Sequence, residues 1–324
     1  MMLFLIAINF ISYFFLTLRN DFFLRLLLSV FFVVSCIIIK LNIDITTVPD
    51  FAMYYYEIGA KEPQFTFDVL FKEPYYYQFV NFLHKNQSAF SSIKALYTIN
   101  FLLTLAFFIW ISFLEDISLW KKNVLFALFF YFFSYVLLRN TPAYILVGIL
   151  FYYLHKNKFI KISFLSFLAH ISSLSILFFS LFKNKPVDRY LILYLILYGF
   201  ILKLILMVPF FDIGERFERY YAISQHINWI AHMLYFCFIV GVNLFLFFKN
   251  KNVIYNYTYS FIFITYLFLQ FTSPILGFRF SIYIILYLLL NQELKLTDQL
   301  EKWLNKLSPL LLILVFVTYY SILS

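Results

Sequence analysis

Long apolar runs separated by short basic or polar connections set the pattern of this chain. They cover residues 2–18, 23–41, 95–114, 123–138, 143–154, 191–210, 228–248, 254–271, 279–291 and 309–323. A helix rising 1.5 Å per residue needs about 20 apolar residues to cross a hydrocarbon core of about 30 Å, and several runs reach that length. Lipid offers a backbone N–H or C=O no partner, so a spanning segment must be a helix or part of a closed barrel. Barrel strands alternate apolar and polar residues over about ten positions, whereas these runs are continuous. The pattern predicts an all-α, polytopic transmembrane protein of about 10–11 membrane segments, a single integral membrane domain over 1–324. The first run lacks a basic n-region and an Ala-x-Ala site, so 2–18 is read as a membrane segment rather than a signal peptide.

Composition agrees: 64% of the residues are hydrophobic and 13% charged. The net charge of +9 sits in the connections rather than on one amphipathic face, which argues for topology and against nucleic acid. Cys36 and Cys237 both fall inside apolar runs, so no disulfide framework is indicated.

The basic connections are Arg19 to Arg25, Lys121-Lys122, Lys156 to Lys161, Lys183 to Arg189, Lys249 to Lys251 and Lys295 to Lys306. The positive-inside rule places all of them in the cytoplasm, with the chain in the inner (cytoplasmic) membrane. Segment 162–182 then has cytoplasmic connections on both sides and is expected to be a re-entrant or broken helix pair, with His170 at the floor of an outward pocket. The alternative is one ordinary span that breaks the charge rule once. Outer loops follow at 42–94, 139–142, 211–227 and 272–279. The first is the longest polar stretch, and a loop of that size on a compact membrane protein is a place for function.

Ionisable groups close to apolar segments are costly and mark candidate sites. Arg139 ends an apolar run just before Pro142, and Arg279 holds the corresponding place after Pro274. Arg216 and Arg219 are three apart in the loop 211–227, on one face if helical. Arginine's planar fork suits phosphate oxygens. Several arginines with His170 would suit a substrate carrying a pyrophosphate, His170 serving as general base or acid. Each arginine alone is equally read as a snorkelling anchor, and the tyrosine triplets 54–56 and 75–77 either stack on sugar rings or form an interfacial aromatic belt. No phosphate-binding glycine loop, zinc helix or acidic metal clamp occurs, so neither metal nor cofactor is expected.

These elements resemble the Wzy-type polysaccharide polymerases, and within them the EpsG-like branch. The resemblance rests on Pro49-Asp50-Phe51 with Tyr54, Lys72-Glu73-Pro74-Tyr75, Leu138-Arg139, Leu168-Ala169-His170-Ile171-Ser172, Arg219-Tyr220-Tyr221 and Arg279. It implies an outward-facing glycosyltransferase that moves a growing glycan from undecaprenyl pyrophosphate onto a newly flipped repeat unit of O-antigen or capsule. Its partners would be the lipid-linked oligosaccharide, the bilayer and a chain-length regulator protein. His170, Asp50 and Arg139 are then expected as catalytic residues, and Arg279, Arg216, Arg219, Tyr220, Glu73 and Tyr54 as substrate-binding ones. An O-antigen ligase shares the donor and differs in the acceptor. A flippase or transporter would carry more ionisable residues at membrane depth.

Overall fold

The structure, a computed structural model, describes residues 2–48, 51–57, 74–170, 172–181, 190, 193–194, 196–200, 229–249 and 256–323. Among them every regular element is a helix: α1 (Met2–Leu18), α2 (Phe22–Asn42), α3 (Phe51–Glu57), α4 (Pro74–His84), α5 (Ala89–Phe113), α6 (Leu119–Tyr131) and α7 (Thr141–His155). Further helices are α8 (Ser166–Ala169), α9 (Ser172–Ser180), α10 (Trp229–Lys249), α11 (Tyr257–Thr272), α12 (Pro274–Leu289), α13 (Asp298–Leu307) and α14 (Leu312–Leu323). By length and apolar composition α2, α5 and most of α10 are able to cross a membrane, and α1, α7 and α12 are shorter apolar helices. The apolar run at 191–210 falls mostly outside the described residues, and the loop 211–227 wholly so.

Two boundaries differ from the sequence pattern for local reasons. Helix α5 begins six residues before the apolar run at 95–114, because the Ser88 hydroxyl accepts from the Ser91 N–H and caps it. The turn expected at 272–279 shrinks to Ser273, because Pro274 opens α12 with a φ already suited to the first helical turn. The long polar stretch 42–94 is not irregular throughout: it carries α3 and α4.

The chain forms two compact units. The first comprises Met1–Phe65, Pro74–Ile145 and Leu296–Ser324. Here α1 and α2 form a hairpin with polar residues on its inner face: Asn9 donates to Ser35 Oγ and Cys36 Sγ, both at 2.9 Å, and accepts from the Tyr131 hydroxyl at 3.1 Å. The outer face of α2 presents Phe23, Leu27, Val30 and Phe31, each more than half exposed. Polar residues inward and large apolar residues outward is the arrangement that hydrocarbon favours, small side chains letting the helices approach closely. An aromatic cluster fills the space behind the hairpin, Tyr13 stacking on Phe126 at 4.2 Å with Phe32, Phe108 and Phe130 around them. Helix α13 is amphipathic, with Trp303 and Leu307 exposed on its apolar side, and is tied to α6 by Asn305, which accepts from the Trp120 N–H at 2.9 Å.

The second unit comprises Thr66–Glu73 and Leu146–Lys295. Its centre is the hairpin of α11 and α12, so tight that a Cβ on Gly277 would lie 2.7 Å from the Cα of Gln270. Phe179 of α9 stacks on Phe261 of α11 with ring centroids 4.9 Å apart, and the Tyr235 hydroxyl of α10 lies 2.6 Å from Ser281 Oγ of α12.

Candidate functional site

In the first unit, Arg139 stands where helix gives way to turn. After Tyr131 the backbone widens into a π turn over Phe132–Val136, and Leu137 leaves helical geometry altogether; such turns recur at functional positions. The Thr141 hydroxyl lies 2.6 Å from the carbonyl oxygens of both Phe133 and Leu137 and closes the turn before α7. Asn100, buried in the middle of α5, donates to the Leu138 carbonyl at 2.6 Å and accepts from the Tyr75 hydroxyl at 2.7 Å. Burial pushes the Tyr75 phenol well up, so it remains a donor.

Two tyrosines from the 42–94 stretch complete this corner. The Arg139 guanidinium carbon lies 5.5 Å from the ring centroid of Tyr54 on α3 and 5.7 Å from that of Tyr76 on α4. The two rings tilt at 57° with centroids 5.1 Å apart, and the Tyr76 hydroxyl donates to the Tyr54 carbonyl at 3.3 Å. Cation–π contact with two largely desolvated rings, on the order of 2 kcal/mol each at best, holds the charge in one place.

In the second unit, the segment 161–180 is a broken helix. A 3-10 turn over Lys161–Leu165 leads into α8, His170 is extended at φ −154° and ψ 127°, and α9 resumes at Ser172. The break turns the imidazole back on the new helix. His170 Nδ1 accepts from the Ser172 N–H at 3.2 Å and lies 2.5 Å from Ser172 Oγ, which is 3.0 Å from the Tyr283 hydroxyl on α12. A backbone N–H can only donate, so Nδ1 is an acceptor and the neutral ring carries its proton on Nε2. The ring in this state is a donor through Nε2, whereas a base at Nε2 would require the other tautomer.

Arg279 lies one turn before Tyr283, four residues away and therefore on the same face of α12. It is inside the helix and half buried, not in a turn as the sequence pattern suggested. Arg139 with Tyr54 thus belongs to one unit, His170 and Arg279 to the other. Asp50, Glu73, Arg216, Arg219 and Tyr220 lie outside the described residues. Sequence reasoning passes over Asn100 and Tyr283; the first is legible in principle as a carboxamide within an apolar run, while the second has no signal among so many tyrosines. Among the described residues no three His, Cys, Asp or Glu side chains are grouped to hold a metal ion.

Comparison with protein-family models, with curated proteins and with solved structures finds no match to this chain.

Proposed function

We propose that this chain is an integral membrane glycosyltransferase that joins lipid-linked repeat units into a surface polysaccharide at the outer face of the inner membrane. The observation that carries the reading is the hydrogen-bonded series His170–Ser172–Tyr283 at a helix break, with Arg279 one turn away on the same helix face. Irregular backbone among apolar helices is tolerated where it lines a cavity or is packed in protein, and a polar series there is a functional feature. The inward-polar, outward-apolar faces of α2 support the membrane setting.

In the reaction, a sugar hydroxyl of the acceptor attacks the anomeric carbon of the donor glycan. The bond from that carbon to the pyrophosphate oxygen breaks, and the pyrophosphate leaves with the electron pair on its undecaprenyl carrier. Arg279, with Arg216 and Arg219, holds the donor pyrophosphate and offsets the charge that develops as it departs, and Arg139 is proposed as a further catalytic arginine of the reaction. His170 donates through Nε2, its tautomer held by the Ser172 N–H. The acceptor proton goes to a carboxylate base, the role that the family resemblance gives to Asp50, and Glu73, Tyr220 and the loop tyrosines are the proposed glycan-binding residues.

The test is the length distribution of surface polysaccharide on a gel, in cells lacking the protein and complemented with wild type, Arg139→Ala, His170→Ala or Arg279→Ala. Collapse to a single repeat unit on the lipid-A core, rescued by wild type alone, is the expected result. Loss of all attached glycan would indicate ligation instead, and unchanged lengths would remove the proposal.

A further inference from the structure

The first unit contains a polar cavity, apart from Arg139 and lined by two buried cations. It measures about 450 Å³ and is formed by the end of α1, the start of α2 and the connection from α5 into α6, with Arg25, Lys122, Ser118 and Glu115 in its wall. Arg25 is 4% exposed and Lys122 3%. A buried charge is costly unless paired and hydrogen-bonded, and this pair is underprovided. The Arg25 guanidinium donates to the Arg19 carbonyl and to Asn20 Oδ1. Its carboxylate partner, Glu115, is 3.7 Å away with a side chain 80% exposed, an arrangement worth little in water. Lys122 has three N–H donors and a single acceptor in the structure, the Ser112 carbonyl at 2.9 Å.

One further group at the cavity lacks a partner. The Ser118 hydroxyl is buried without a hydrogen bond, and as the residue preceding α6 it gives that helix no side-chain cap. Asn305 of α13 takes the Trp120 N–H in its place. Burial and the neighbouring Arg25 charge lower the Lys122 pKa to about 8, against the opposing pull of Asp116 and Glu115.

From this geometry we infer that the cavity between Arg25, Lys122 and Ser118 binds a phosphate group. This site is independent of the proposed polymerase reaction, since it uses none of its residues. The charge pattern assigns this end of the helices to the cytoplasmic side, where the phosphate belongs either to an anionic phospholipid headgroup or to a free phosphate-bearing solute. The amphipathic α13, anchored beside the start of α6 and exposing Trp303, suits a position at the headgroup level.

The full chain, purified in a neutral detergent, is to be titrated with inorganic phosphate against chloride at equal ionic strength, and separately with phosphatidylglycerol against phosphatidylcholine in mixed micelles, following the thermal midpoint and the dissociation constant. Saturable stabilisation by phosphate assigns a free solute; stabilisation by phosphatidylglycerol alone assigns a lipid headgroup. In either case Lys122→Gln and Arg25→Gln should each weaken binding at least tenfold, while Lys302→Gln, an exposed cation on α13, leaves it unchanged. Stabilisation by neither probe, or an equal response in wild type and Lys122→Gln, overturns the assignment. Should both cavity variants fail to fold, the wild-type comparisons still decide, because a non-specific charge effect would not saturate. Polysaccharide length on gels reads the polymerase reaction separately, so either idea can fail alone.

Discussion

Asn100 donates its side-chain amide to the main-chain carbonyl of Leu138 at 2.6 Å, so a residue buried in α5 fixes the backbone next to Arg139. The same carboxamide accepts from Tyr75, and α4 then brings Tyr76 against the guanidinium. One uncharged residue therefore holds both the chain that carries the arginine and the helix that supplies half of its aromatic cage.

Asn100→Leu should leave the Leu138 carbonyl and the Tyr75 hydroxyl buried without partners, each costing about 1–3 kcal/mol. The thermal midpoint in detergent is expected to fall, and polysaccharide chains to shorten as they do in Arg139→Ala. A lowered midpoint with full-length polymer would show that the Leu138 contact does not serve Arg139.

Tyr283→Phe removes one hydroxyl from the series that ends on His170 and should cost about 1 kcal/mol of stability. Ser172→Ala removes the hydroxyl but keeps the backbone N–H on Nδ1, so the Nε2–H tautomer persists. Polymer output, measured as incorporation of labelled repeat units into membranes, should fall moderately in both and be abolished in His170→Ala. Equal losses in Ser172→Ala and His170→Ala would mean that the Ser172 hydroxyl, rather than Nε2–H, is the group that matters.

Gly277→Ala places a methyl group 2.7 Å from the Cα of Gln270, and backbone cannot swing aside as a side chain can. The α11–α12 hairpin must separate, at a cost on the order of 1–3 kcal/mol or more. The variant should express poorly or melt well below wild type, whereas Gly241→Ala, with open space around its Cα, should be neutral or slightly stabilising through helix propensity. Similar melting of the two variants would contradict the close approach.

Lys122 lies before the apolar run that starts at Asn123, and burial, together with Arg25, lowers its pKa from 10.5 to about 8. Below pH 8 the folded chain bears the full cost of the buried charge. Between pH 8 and 10.5 the unfolded chain holds more protons than the folded one, so this group makes stability rise with pH across that window. In phosphate-free detergent solution the Lys122→Met variant should lose that rise, read as the difference between its thermal midpoints at pH 7.5 and 9.5. Parallel pH profiles for variant and wild type would place the Lys122 ammonium in water.

Helix positions were largely legible in the residues themselves, because a helix in an apolar setting satisfies its own backbone and needs only length and composition to be recognised. α1 and α2 match their apolar runs to within a residue at each end, whereas α12 starts at Pro274, five residues before the run read at 279–291. His170 stood out as the polar centre of the run 162–182, and that is where the helix breaks. Other features depended on partners distant in the chain. Lys121 and Lys122 read as a solvated connection, yet both are buried in the first turn of α6, because the α1–α2 hairpin and α13 close over them. The pairing of Arg139 with Tyr54 and Tyr76 required α3 and α4 to fold inside a stretch that reads as loop, since two helices this short acquire stability from packing rather than from pattern. Tyr283 became part of the His170 series only because the fold brings its hydroxyl on α12 to the Ser172 hydroxyl. Local hydrogen bonding and hydrophobic length are properties of a segment and could be read from it; hydrogen bonds between side chains on different helices depend on which faces meet, and that was decided by the tertiary structure.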